Sequence, residues 1–461
     1  MKILITGATG FIGKEVCKAL ALRGHEIIAL TRKPELSRTQ IPAPHQAVAW
    51  SHETQSLDDS DLQSIRQAGA VIHLAGESIA QQRWSDEYKN QIMTSRVKGT
   101  ESLVRLLQSA SHPGPRVWIS ASAIGYYGEH GNEAIDESTP AGSDFLAQVC
   151  QKWENALFEA PLPETRKVAL RFGVVLGRAG GALEKMIPPF LSGLGATLGS
   201  GKQWMSWIHL HDLVEVILKA LEDSRYEGAI NVCSPEPVTQ GEFTRVLGRV
   251  LKRRSFFKAP SSVLKLALGS FATTLLASQK VLPRKLQELG FEFQNGHLEE
   301  ALFDLLGDSY AQGHSEFLAS CWIDQPIEKV FAFFSQAENL ERITPPWLHF
   351  KILHQSTPAI EKGTLIDYQL KLHGVPLRWR TEISEWNPPF QFIDLQLKGP
   401  YHLWKHTHRF TSLGGGTLIE DRVLFELPLG SLGRIAAGSY VLKDVKSIFS
   451  YRSQKIFELL A

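Results

Sequence analysis

The residues with the clearest chemical purpose come first in the chain. Thr6-Gly7-Ala8-Thr9-Gly10-Phe11-Ile12-Gly13 places three glycines three apart, after an apolar run and at the head of an amphipathic one. Such spacing suits a strand-to-helix turn that holds a pyrophosphate: Gly7 permits the tight turn, Gly10 lets backbone approach the phosphates, and Gly13 lets helix and strand pack closely. The helix N-terminus then stabilises the phosphate charge. Gly7, Thr9, Gly10, Phe11, Ile12 and Gly13 are therefore expected to hold a dinucleotide. The next apolar run ends Leu30-Thr31-Arg32-Lys33, with no carboxylate for ribose hydroxyls. Arg32, beside Thr31, suits a 2′-phosphate, which points to NADP(H); a solvated surface arginine is the alternative.

Three other groups invite chemistry. His209, His211 and Asp212 are close enough for a metal, but an N-cap by Asp212 with hydrogen-bonded histidines fits a strand-to-helix junction better. Trp404, His406, His408 and Phe410 alternate, so they share one face of a strand. That face lines a cavity for an apolar ligand with one or two polar atoms, or aromatics simply fill a small barrel. His406 and His408 lack a third ligand nearby, and no metal site is expected at either place. The four cysteines (Cys17, Cys150, Cys233, Cys321) lack CxxC spacing, which suits a reducing cytosol.

These residues need elements to position them. Strands are expected over 2–6, 26–31, 47–50, 70–74, 116–120 and 167–172, with helices over 11–23, 85–109 and 144–159. That alternation predicts an α/β domain with a doubly wound parallel sheet. From 180 to 306 the pattern turns irregular and helical, as for a small cap lobe. A polar linker is expected at 307–314. Beyond it, strands near 317–323, 349–355, 364–373, 378–386, 390–398, 401–411 and 417–427 accompany one early helix and a closing helix over 438–460. This describes an α+β helix-grip domain over 315–461. With 461 residues, several domains are expected. Lys plus Arg (49) balance Asp plus Glu (48), which argues against a nucleic-acid partner. The apolar stretch 263–282 is broken by Lys265, Gly269, Ser270 and Gln279, so no membrane span is expected. A cytoplasmic location follows as the expectation.

Residues 1–306 resemble the extended short-chain dehydrogenase/reductase superfamily, NAD-dependent epimerase/dehydratase type, with its Rossmann fold. The resemblance is carried by the glycine turn, His73-Leu74-Ala75-Gly76, Ser120-Ala121-Ser122, Tyr126-Tyr127-Gly128, Arg171 to Gly177 and Trp207 to Asp212. Gly180 to Leu183, Trp153-Glu154 and Val281-Leu282-Pro283 resemble a subgroup with a C-terminal helical cap. The resemblance implies that Leu74, Ala75 and Gly76 pass the adenosine ribose and phosphates, and that Ser120, Arg171 and Gly173 lie beside the nicotinamide. It implies Ser122 as the group that orients a substrate oxygen. The superfamily's Tyr-x-x-x-Lys pair is absent: Leu146 and Cys150 occupy those positions. Tyr126 or Tyr127 could substitute as acid, or serve as core aromatics. Cys150 could contribute, or be a small buried hydrophobe. Arg96 could reach the site or sit behind it.

Residues 315–461 resemble the START-like (SRPBCC) superfamily of polyketide cyclases and hydrophobic-ligand carriers. The carrying segments are Asp324 to Phe331, the Trp347 turn, Trp404 to Phe410, Asp421-Arg422-Val423 and Ile448 to Arg452. Together the two resemblances imply an NADP(H)-binding oxidoreductase or epimerase-like protein acting on a small carbonyl or hydroxyl compound, fused to an apolar-ligand domain. A non-catalytic NADP(H) sensor or carrier is the rival expectation.

Overall fold

The computed structural model describes residues 1–54, 57–110, 114–307 and 309–460. They form two compact units, Met1–Glu35 with His45–Leu306, and Leu36–Pro44 with Gly307–Ala461.

In the first unit, β1 (Lys2–Thr6), β2 (Glu26–Thr31), β3 (Gln46–Ala49), β4 (Ala68–His73), β5 (Val117–Ala123), β6 (Arg166–Phe172) and β7 (Gly228–Val232) form one parallel sheet. Its order is β7-β6-β5-β4-β1-β2-β3. A strand covered on both faces needs no polar alternation, and β1, β4 and β5 are accordingly near-continuous buried runs. Trp118, Leu4, Val71, Leu107 and Leu157 pack together on one side. Helices α1 (Phe11–Leu22), α2 (Asp86–Ala110) and α3 (Phe145–Phe158) follow β1, β4 and β5. The Rossmann expectation holds, and the sheet gains β7, which the sequence reading assigned to no strand.

The 180–306 region is mostly helical, with short strands between. The apolar stretch near 263–282 becomes two short helices, Ser261–Leu268 and Phe271–Leu276, separated by Gly269 at φ +63°. Among the described residues no helix is long and apolar enough to cross a membrane.

In the second unit, β8 (Ser315–Ile323), β9 (Lys351–Gln355), β10 (Leu365–Leu372), β11 (Val375–Asn387), β12 (Gln391–Lys398), β13 (Leu403–Leu413) and β14 (Gly416–Glu426) form an antiparallel sheet ordered β8-β14-β13-β12-β11-β10-β9. Two helices follow β8, α4 (Ile327–Phe334) and α5 (Ala337–Ile343), where one was expected. The closing helix α6 (Ser431–Leu460) starts one to two turns earlier than expected. A helix-grip architecture results. Residue 308 of the expected linker and residue 461 lie outside the described residues. Ser309, also in that linker, is buried: its Oγ donates to Glu316 and accepts from Arg422.

Candidate functional site

The glycine turn is built as its spacing requires. Gly7 sits at φ +73°, and a Cβ there would meet the Leu74 carbonyl carbon at 2.8 Å. A Cβ on Gly13 would lie 2.1 Å from the Gly7 carbonyl oxygen. Gly10 is the N-cap of α1 and supplies no side-chain cap, and the helix has no acidic residue in its first turn. Its first N–H groups are thus left to a ligand, as an anion site needs. Phe11 lies in a cradle of small residues, because Cβ atoms on Gly177, Gly180 and Gly181 would come within 2.5–2.9 Å of its ring. The flanking Thr6 hydroxyl lies 2.6 Å from His73 Nδ1, while His73 Nε2 lies 3.2 Å from the Thr100 hydroxyl. Thr6 Oγ1 also accepts from the Ala75 N–H. This chain fixes Leu74, Ala75 and Gly76 against the turn. Burial, helped by the charge of Arg96, pushes the His73 pKa down to about 4.

At the end of β2, Thr31 Oγ1 accepts from the Lys33 N–H, and Arg32 is exposed. Arg96 lies behind Gly76: its guanidinium is 3.2 Å from where a Gly76 Cβ would stand, and it donates to the Glu77 and Ile92 carbonyls.

The carboxyl ends of β5, β6 and β7 carry a buried network. Ser122 donates to Glu154 Oε1 at 2.6 Å. Arg171 binds both Glu154 oxygens, Nε to Oε1 at 2.9 Å and Nη2 to Oε2 at 2.8 Å. Its Nη1 donates to the Tyr127 hydroxyl, which donates to Asn231 Oδ1 at 2.6 Å. The Tyr126 ring centroid is 3.5 Å from the Arg171 guanidinium carbon, a cation–π contact.

The structure gives each expected site residue its own contacts here. Tyr127 is 1% exposed, its proton is committed to Asn231, and burial pushes its pKa up to about 12. It is a core tyrosine rather than an available acid. Tyr126 stays half-buried at the sheet edge. Arg171, expected beside the nicotinamide, has its nitrogens bound to Glu154 and Tyr127. Gly173 gives its space to the Ser206 carbonyl oxygen, 2.9 Å from where its Cβ would be. Ser120 donates to the Ala121 carbonyl within its own strand. Cys150 is buried and its thiol is pushed up to about 12, so it supplies no thiolate. At the 209–212 junction the N-cap is His209, whose Nδ1 accepts from the His211 N–H. Asp212 instead accepts from the Gln294 and Asn295 N–H groups.

Glu154 was not anticipated as a site residue, though a signal existed. Ala147, Cys150, Glu154 and Leu157 fall on the buried face of α3; a carboxylate on that face demands a partner. Asn231 left no such signal.

In the second unit, β13 turns His406, His408 and Phe410 inward, with Trp404 partly buried. Trp404, His406 and His408 line a cavity of about 190 Å³, walled by Phe334, Leu348, Tyr368, Trp379 and Phe392, while Phe410 packs in the core behind them. The expectation that these histidines have no third ligand nearby is corrected. Asp394 of β12 and Asp421 of β14 pair in register with His406 and His408, which adjacent strands hide from a reading along one strand.

Three family models match the chain. The NAD dependent epimerase/dehydratase family matches residues 3–233, a domain of unknown function (DUF1731) residues 259–305, and polyketide cyclase/dehydrase and lipid transport residues 323–445. The chain is 42% identical over 306 residues to the chloroplastic epimerase family protein SDR39U1 homolog of Arabidopsis thaliana, spanning 66% of this chain and 86% of that protein. It is similar to the crystal structure of human epimerase family protein SDR39U1 (isoform 2) with NADPH, at TM-score 0.59 and 33% identity, covering 67% of this chain and 100% of that one. A nucleoside-diphosphate sugar epimerase from Corynebacterium glutamicum matches at TM-score 0.52 and 30% identity, over 68% of this chain and 60% of that one.

Proposed function

Because the chain belongs to the NAD-dependent epimerase/dehydratase family, we propose that it is an NADP(H)-dependent oxidoreductase for a small carbonyl or hydroxyl compound, fused to a domain that binds an apolar ligand. The observation that carries the redox reading is the buried Ser122–Glu154–Arg171 network at the carboxyl edge of the sheet, the edge where open α/β sheets take ligands.

The residues present fit the cofactor. The uncapped N-terminus of α1 and the spaces at Gly7, Gly10 and Gly13 would take the pyrophosphate, with Thr9, Phe11 and Ile12 in the same turn. Thr31 and Arg32 would meet the 2′-phosphate, Leu74, Ala75 and Gly76 the adenosine half, and Ser120 and Gly173 the nicotinamide side. Bound NADP(H) supplies hydride transfer. Ser122, whose own proton goes to Glu154, would orient a substrate hydroxyl by accepting from it. Tyr126, half-buried beside Arg171, is the side chain positioned to hand on a proton.

A second reading is favoured by one observation: Leu146 and Cys150 stand where the superfamily keeps Tyr and Lys, and the Cys150 thiol stays protonated. The chain is then a sensor in which NADP(H) occupancy changes ligand release from the second unit, with reciprocal coupling. Calorimetry with NADPH, followed by NADPH oxidation across a carbonyl panel, separates the two. Turnover that falls in Ser122→Ala supports the oxidoreductase. Tight NADPH binding with no oxidation of any substrate overturns it.

A further inference from the structure

We propose that Asp394, His406 and His408 form a divalent transition-metal site at the wall of the cavity in the second unit. No mapped role covers these residues, and the site is independent of the dinucleotide chemistry.

The geometry comes from strand register. Asp394 lies opposite His406 on neighbouring strands, and His408 is two residues further along the same face. Asp394 Oδ2 is 3.1 Å from His408 Nε2 and 3.5 Å from His406 Nδ1. One ligand atom from each of the three falls within 4.8 Å of the others. Ligands about 2.1 Å from a metal, at angles between octahedral and tetrahedral, stand about 3.0–3.4 Å apart. Both measured separations lie close to that range.

The arrangement behind these atoms matters as much. Asp421 sits on the far side of the histidines from Asp394. His406 Nε2 lies 2.9 Å from Asp421 Oδ1 in hydrogen-bonding geometry. With Nε2 donating to Asp421, Nδ1 of His406 keeps its lone pair towards Asp394. His408 also lies between the two carboxylates, with Nδ1 2.8 Å from Asp421 Oδ1 off the line of a hydrogen bond; its Nε2 is hydrogen-bonded to Asp394 Oδ2 without the ion, so metal binding would take the place of that proton. A carboxylate behind a ligating histidine fixes its tautomer and raises its basicity. Asp394, His406 and His408 all line the cavity, so coordination positions remain open on that side.

The donor set decides the class of ion. Two imidazoles and one carboxylate suit Zn²⁺, Fe²⁺, Co²⁺ or Ni²⁺, whereas Ca²⁺ and Mg²⁺ prefer oxygen ligands throughout. The opposing interaction is Arg452, a cation in the same cavity wall. Two carboxylates (Asp394 and Asp421) offset a divalent ion, and Arg452 is left to face the polar end of a ligand. A ligand oxygen entering an open position would be polarised by the ion.

The test uses the full chain, stripped by chelator dialysis and titrated with Co²⁺ by visible absorption and with Zn²⁺ by calorimetry. One equivalent is expected to bind. Asp394→Asn is expected to weaken binding at least 100-fold, and Asp421→Asn by about 10–100-fold. X-ray absorption of the Co²⁺-loaded wild type, which needs no variant, is expected to find two imidazoles in the first shell. Three results would each overturn the site: no stoichiometric binding of either ion, an all-oxygen shell, or unchanged affinity in an Asp394→Asn protein that melts like the wild type.

Discussion

Arg171 grips both carboxylate oxygens of Glu154, at 2.9 and 2.8 Å, with the two residues only 4% and 6% exposed. The pair joins β6 to α3 and, through Ser122 and Tyr127, reaches β5 and β7. Breaking a buried pair by removing one partner costs about 3–5 kcal/mol, because the survivor is left charged and unpaired. Glu154→Leu or Arg171→Met alone should therefore lower stability by that amount in urea unfolding. The double change Glu154→Leu/Arg171→Met should lose clearly less than the sum. Strict additivity of the two losses would show that the residues do not act as a pair.

On the oxidoreductase reading, Ser122 is the point at which this network would meet the substrate. Ser122→Ala should lower kcat by about 100-fold or more, in line with the loss of a group that orients the reacting oxygen. The NADPH dissociation constant should stay within about threefold, since the hydroxyl is occupied with Glu154. A change confined to KM would remove Ser122 from the reaction.

Arg32 offers a cleaner handle on cofactor choice. A charge-assisted hydrogen bond contributes about 1.5–3 kcal/mol, or roughly 10–100-fold in affinity. Arg32→Ala should weaken NADPH binding by that factor and leave NADH binding nearly unchanged. Equal losses for the two nucleotides, measured side by side by calorimetry, would assign Arg32 to the surface.

His73 makes a pH prediction with a definite sign. Its folded pKa, about 4, lies below the unfolded value near 6.5. Between those values the unfolded chain binds the extra proton. The contribution is thus full above pH 6.5 and is lost as pH falls towards 4, by on the order of 3 kcal/mol at most. Unfolding midpoints from pH 7 to 4.5 should fall more gently in His73→Gln, which keeps polar contacts to Thr6 and Thr100. Parallel slopes in the two proteins would refute the assignment.

The sheet of the first unit was readable because parallel strands buried on both faces are continuous apolar runs, and the glycine turn was readable because its constraints are local. Gly13 cannot carry a Cβ for a reason contained within seven residues. What stayed hidden depends on pairing across distance. Glu154 and Arg171 are 17 residues apart on different elements, and Tyr127 finds Asn231 104 residues away. Asp394 and Asp421 flank the histidines only once the strands are in register. The choice between acid and core aromatic for Tyr127 stayed open for the same reason: its hydroxyl finds its partner, Asn231, only once β7 is in place.

The network behind Ser122 also bears on how this chain can change over time. In a fold with a separate Tyr-x-x-x-Lys pair, reactive groups can be lost or retuned while the scaffold stands. Here Glu154, which aims the Ser122 hydroxyl, also holds strands and helix together. On the oxidoreductase reading, substitutions that reorient Ser122 draw on the same few kcal/mol of margin that keep the domain folded. Innovation at this position is therefore coupled to folding, and new specificity is more readily acquired at the exposed ends of the sheet, beyond the reach of the Glu154–Arg171 pair.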